Sequence, residues 1–140
     1  MINLLIVFLF LFSSPADDAN ALLGTWYNGE KDAKIEIYHC GNLFCGKIVW
    51  LENPMENGAT KKDKHNPDET LKKRELMGLH ILTDFVYTGD KTWEEGKIYN
   101  PKDRKTYSCY MSLLDNGQLK VRGFIGFSLI GKTQFWTRTE

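Results

Sequence analysis

The chain opens on an apolar run and then changes rhythm. Ile2 to Phe12 is apolar except for Asn3. Eleven residues at 1.5 Å each reach about 16 Å, roughly half of what a spanning helix needs. Ser13, Ser14, Pro15 and Ala16 follow, small residues that fit a signal-peptidase site after Ala16, and Ala19-Asn20-Ala21 offers a second. The reading is an export segment at 1–16 (or to 21) and a single domain over 17–140, with no transmembrane span after cleavage. A short buried helix or an uncleaved membrane tether is the competing reading, since no Lys or Arg precedes the run.

Beyond this segment the period is two. Alternating apolar and polar positions predict strands at Gly24–Asn28, Ala33–Cys40, Cys45–Leu51, Leu79–Tyr87, Thr92–Tyr99, Lys105–Leu114, Gln118–Phe127 and Lys132–Thr139. Gly89-Asp90, Asn100-Pro101-Lys102-Asp103 and Asp115-Asn116-Gly117 mark tight turns. Eight strands joined mostly by short turns predict an all-β, up-and-down antiparallel sheet that closes into an eight-stranded barrel and so loses its edges. A two-sheet sandwich is the alternative. One stretch breaks the rhythm: Glu52 to Gly78 is long and polar. Within it Asn66-Pro67-Asp68-Glu69 predicts a helix start, and Leu71, Leu76 and Met77 would fold that short helix onto one barrel end. Such a segment is either a functional lid or a plain plug.

Two hairpin registers follow from the same pattern. With Gly41-Asn42-Leu43-Phe44 as a loop, Cys40 faces Cys45, Ile37 faces Ile48 and Ile35 faces Trp50, which brings the two cysteines within disulfide reach. Around Asp115-Asn116-Gly117, a three-residue loop pairs Leu113 with Leu119 and Met111 with Val121, so apolar residues share a face. Arg122 then points away from that face; a two-residue turn would reverse it. Cys109, on the apolar face of its strand, reads as a small buried hydrophobe.

Composition adds bounds. The 140 residues are 42% hydrophobic and 26% charged, with 18 basic and 18 acidic residues. This is globular usage, and it offers no electrostatic footprint for nucleic acid. Three cysteines without Cys-x-x-Cys spacing suggest one bridge in an oxidising compartment rather than a metal site.

These residues carry a resemblance. Gly24-Thr25-Trp26 with Arg138 near the end resembles the calycin pattern of lipocalins, in which the Trp packs at the closed barrel end and the Arg lies across it. A wider set resembles the domain of unknown function 2147 family of exported bacterial proteins. It comprises Cys40-Gly41 with Leu43, Cys45 to Trp50, Asp63 with Asn66-Pro67-Asp68, Gly96 to Pro101, Arg122-Gly123, Gly126, Gly131 and Trp136-Thr137-Arg138. That resemblance implies a periplasmic or secreted, lipocalin-like protein and small-molecule binding. Arg104 departs from it, standing where the family usually has Gly.

Catalytic signals are sparse. His39, His65 and His80 fall in no metal spacing or nucleophile triad. Asp63, His65 and Asp68 lie close in the long segment, as metal ligands or as turn-stabilising groups. Glu94 and Glu95 neighbour Trp93, but consecutive strand residues face opposite sides. No cofactor and no metal is implied, and an enzyme is not expected. The first hypothesis is a barrel binding a small apolar molecule in a cavity lined by Ile37, Ile48, Trp50, Tyr107 and Met111. Asn66 and Arg74 would then take a head group at the mouth, joined by Arg122 only with the two-residue turn. The rivals are a cell-envelope interaction module with a filled barrel and, last, a metal-assisted hydrolase or lyase.

Overall fold

A computed structural model describes residues 18–126 and 130–139. The proposed export segment to Ala16 and the cut after it lie outside the described residues, whereas the alternative cut, after Ala21, falls within them. Eight long strands form a closed antiparallel barrel. They are β1 (Gly24–Tyr27), β2 (Ala33–Cys40), β3 (Leu43–Leu51), β6 (His80–Gly89), β7 (Thr92–Asn100), β8 (Lys105–Leu113), β9 (Leu119–Phe124) and β10 (Gly131–Arg138). A two-stranded hairpin, β4 (Met55–Glu56) and β5 (Ala59–Thr60), stands outside it in the long polar segment. Each predicted strand has its counterpart, and the sandwich alternative is set aside because β1 pairs with both β2 and β10.

The β8–β9 register is the one in which apolar residues share a face: Leu113 pairs with Leu119 and Met111 with Val121. Gly117, at φ 86°, takes the left-handed position that this loop demands. Arg122 consequently sits on the outer face, where Nη1 donates to Thr133 Oγ1 at 2.9 Å.

At β2–β3 the turn is tighter than expected. Only Gly41 and Asn42 form it, Cys40 pairs with Leu43, and Cys45 pairs with Tyr38. The Cys40–Cys45 disulfide forms on the diagonal, with Cα atoms 5.9 Å apart. The register moves by two residues, so Ile35 and Ile37 still face inward, now opposite Ile48 and Gly46. An irregularity between Lys34 and Ile35 then advances β3 by one residue and pairs Lys34 with Trp50. A one-residue slip reverses the face, so Trp50 lies outside the barrel. There its ring meets Tyr27 edge-on at 6.1 Å, and Lys34 Nζ lies 5.0 Å from its centroid. Replacing both cysteines by Ser is expected to cost about 2 kcal/mol on the chain-entropy model for so short a loop. The urea midpoint of oxidised wild type against the double variant measures this, and equal midpoints would contradict it.

Residues 19–23 close one end. Leu22 is fully buried, Trp26 Nε1 donates to Leu22 O (2.9 Å) and Trp93 Nε1 donates to Ala19 O (3.0 Å). Arg138 lies across Trp26 at 4.1 Å from its ring and donates to Leu23 O and Ala21 O. Arg104, the residue standing in place of Gly, adopts φ 67°, so the left-handed turn is kept despite its side chain. No helix among the described residues is long and apolar enough to cross a membrane.

Candidate functional site

The lumen was the expected site, and its lower part is solid. Trp26, Leu82, Phe85, Trp93, Met111 and Leu119 are all 0% exposed, so no water-sized space borders them. Ile37 and Ile48 belong to the same packed cluster. These positions, expected as cavity walls, are core. Three register irregularities shape that packing. β6 carries two extra residues relative to β3, one between Leu82 and Phe85 and one between His80 and Leu82, and β7 carries one relative to β8, with Asp84 (φ 61°) and Glu95 (φ 63°) left-handed. Phe85 turns inward and its ring covers Gly96, where an added Cβ would lie 2.4 Å from ring carbons. The same bulge exposes both Glu94 and Glu95, correcting the expectation that neighbours on a strand face opposite sides. The two glutamates flank an outer groove of about 420 Å³ that also reaches Tyr110 and Phe124. Elements of the sheet alone line it.

Toward the other end the inner face opens. Tyr107, paired with Ile98, is half-buried and its hydroxyl donates to Asp103 in the β7–β8 turn; Gln134, opposite buried Val121, is exposed. Lys102 bridges Glu30 and Asp32 at 2.6 and 3.0 Å, tying two rim connections together.

The long segment does not form the helix expected of Asn66-Pro67-Asp68-Glu69. Asn66 Oδ1 accepts from Asp68 N (2.8 Å), and Leu71 N and Arg74 N return to Asp68 O and Leu71 O, giving successive three-residue turns. The reason is tertiary. Asn66 Nδ2 is drawn away to Asp63 Oδ2 (3.0 Å) and Tyr99 Oη (3.2 Å), and Asp63 N donates to Arg74 O (3.0 Å), closing residues 63–74 into a loop. Asp68 caps its own turn through Thr70. Asp63, weighed above as a metal ligand, is 1% exposed and fully engaged. It accepts from Tyr99 Oη (2.7 Å), Asn66 Nδ2, Arg74 Nε (2.9 Å) and Arg74 Nη2 (2.8 Å). Burial pushes its carboxyl up, but the donors from Tyr99, Asn66 and Arg74 outweigh it and hold the group below its ordinary value. Burial and the Asp63 carboxylate push the Tyr99 phenol up. Among the described residues no cluster of His, Cys, Asp or Glu has metal-holding geometry.

This anchor seats the segment on the outer face of β6 and β7 rather than as a plug: Tyr99 alternates with inward Ile98, and Thr83 with fully buried Leu82. Leu76 packs against the core, while Met77 is exposed. Between segment and sheet lies a cleft of about 260 Å³. Asn66, Leu71 and Arg74 line it from one side, Ile81, Thr83 and Lys97 from the other. His80, Tyr99 and Thr106 complete its wall. Of the ligand candidates read from the sequence, the structure brings together Asn66 and Arg74 here. It places Tyr107 at the rim, Ile37, Ile48 and Met111 in the core, and Trp50 and Arg122 on the outer surface. Lys97, Thr83 and Thr106 were not anticipated; their alternation with inward-facing Ile98 and Tyr107 was the available signal. Burial pushes the Cys109 thiol up to about 12, in keeping with a packing role.

A search of curated proteins found no match. Among solved structures, the chain resembles a protein described as "Protein HP1028 from the human pathogen Helicobacter pylori belongs to the lipocalin family", with a TM-score of 0.76 and 27% identity over 85% of this chain and 83% of that one. The eight-stranded closed barrel is thus lipocalin-like. A family model matches residues 24–138, from the start of β1 to the end of β10, and the chain belongs to that family, DUF2147, described as uncharacterized proteins conserved in bacteria.

Proposed function

We infer that this protein is an exported, non-enzymatic binder of a small molecule, and that it holds its ligand in the cleft between the 52–78 segment and the outer face of β6 and β7. One observation carries the reading. The lower lumen is packed, whereas the cleft joins side chains from four separated stretches of chain around about 260 Å³, near the small end of ligand sites. Leu71 and Ile81 offer an apolar surface there, and burying it contributes roughly 25 cal/mol per Å². The lipocalin-like fold supports a binding role. The Cys40–Cys45 bridge and the apolar run at Ile2–Phe12 support export to an oxidising compartment such as the periplasm.

Native mass spectrometry of protein secreted through its own leader tests this. A co-purified mass is expected with wild type and is expected to be lost from Thr83→Trp, which fills the cleft. Retention by that variant would move the site to the barrel rim. A second reading, an envelope interaction module without ligand, draws on the packed lumen and on exposed Ile125, Ile130 and Phe135. Wild type free of any bound mass, with no saturable uptake of small molecules, would favour it.

A further inference from the structure

Resting on the cleft reading above, we propose that the cleft selects small organic anions, a carboxylate or phosphate group being held between Arg74 and Lys97 with a short apolar body over Leu71 and Ile81. The charge inventory leads there. None of the described residues lining the cleft is acidic. The nearest carboxylate on Arg74, that of Asp63, has a fully buried side chain whose two oxygens already accept from Tyr99, Asn66 and Arg74. It neutralises part of Arg74 but presents nothing to a guest.

Arg74 itself is half committed. Nε and Nη2 serve Asp63 and the guanidinium lies 5.2 Å from the Tyr99 ring centroid, while about a third of the side chain stays exposed and the residue lines the cleft. The ion pair and the ring fix its plane before any ligand arrives, so little rotamer freedom remains to be lost on binding. Lys97 stands opposite Thr83 on the outer face, exposed and without an ion pair among the described residues. Two cations on the walls of one partly enclosed cleft focus a positive field into it, and guanidinium hydrogen bonds to carboxylate or phosphate are the charge-assisted kind. Further hydrogen-bonding groups stand beside them. Thr83 and Thr106 carry hydroxyls, and His80 has its Nδ1 occupied by Tyr38 Oη at 2.5 Å, which leaves Nε2 for a guest. A cationic guest would meet both charges with no carboxylate among the lining residues, since Asp63 and Asp68 near Arg74, and Glu94 and Glu95 near Lys97, lie outside the cleft wall.

Four probes with one ring and graded charge decide it: benzylamine, benzyl alcohol, benzoate and phenyl phosphate, titrated by ligand-observed NMR into the mature protein. At least one anion is expected to bind tenfold or more tightly than benzyl alcohol, about 1.4 kcal/mol, with benzylamine weakest. The tighter anion names the head group as carboxylate or phosphate. Raising the salt is expected to weaken the anions and spare the alcohol. Lys97→Gln should weaken anion binding about fivefold and leave benzyl alcohol unchanged, while Lys120→Gln, on β9, should alter neither. If benzyl alcohol matches the anions, or Lys97→Gln changes nothing, the anion assignment is overturned and the cleft remains a neutral site. If no probe gives saturable shifts that Thr83→Trp removes, the cleft reading falls and takes this proposal with it.

Discussion

Gly96→Ala is expected to destabilise the barrel by about 3 kcal/mol, the upper end of what overpacking a core usually costs. The new methyl carbon would sit 2.4–2.5 Å from three carbons of the Phe85 ring, and contact below 3.0 Å forces a shift. Phe85 is 0% exposed and Phe44 and Trp93 beside it are buried, with their rings 6.4 Å apart edge-on. The ring therefore has nowhere to go without moving other side chains. The backbone at Gly96 is not left-handed, so the effect is steric rather than conformational. Two controls separate the causes. Phe85→Leu alone opens a void and is itself expected to destabilise. Combined with Gly96→Ala it should recover part of the loss, a coupling that independent sites would not show. Guanidinium midpoints for the four proteins measure the cycle. A single Gly96→Ala variant within 0.5 kcal/mol of wild type would mean that the two strands separate easily at the bulge.

The second large effect belongs to the outer anchor. Asp63→Asn should cost about 2–3 kcal/mol, below the usual 3–5 for breaking a buried pair because Arg74 is about one-third exposed to water. The loss should be local: faster protease cleavage within residues 52–78 and weaker hydrogen-exchange protection of Asp63 N and Leu76 N, with the barrel strands spared. Its pH dependence follows from the direction of the shift. The folded carboxyl is held below its ordinary value, so Asp63 contributes its full stability above the unfolded value of about 3.9 and loses it as the pH falls toward the lower folded one. The gap between wild type and Asp63→Asn should be constant near neutrality and narrow below about pH 4. A gap that widened in acid would show that the group is not held ionised by its partners.

Both effects reside in features that hydrophobic alternation does not reveal. Alternation depends only on which face a residue takes, and a register shift of two residues preserves faces. The two-residue Gly41-Asn42 turn and the four-residue loop therefore place Ile35 and Ile37 identically and differ only in partner, and the cysteines join in either. At Asp115-Asn116-Gly117 the rival registers differ by one residue and would exchange Val121 for Arg122 on the apolar face, so the pattern alone could choose. Bulges have no such signature. The slip beside Lys34, which sends Trp50 outward, and the left-handed Asp84 and Glu95 arise where strands must bend to close a barrel. The β4–β5 hairpin, absent from the predicted strands, does have a local signal: Asn57-Gly58, both at positive φ, is a strong two-residue hairpin turn.

What the amino-acid order determined by itself is the eight barrel strands, the barrel and the Cys40–Cys45 pairing, because each rests on period, turn chemistry or short separation; the stacking of Arg138 on Trp26 was implied only by the resemblance to the calycin pattern. Only the folded molecule decided where space remains. Whether Trp93, Phe85 and Met111 fill a lumen or merely line it depends on the summed volume of side chains from many strands. Whether Asn66 and Arg74 guard a mouth or wall an outer cleft depends on a single buried carboxylate, Asp63, finding Tyr99 across 36 residues of chain. Volume and long-range pairing are properties of the assembled sheet, and no local stretch of sequence contains them.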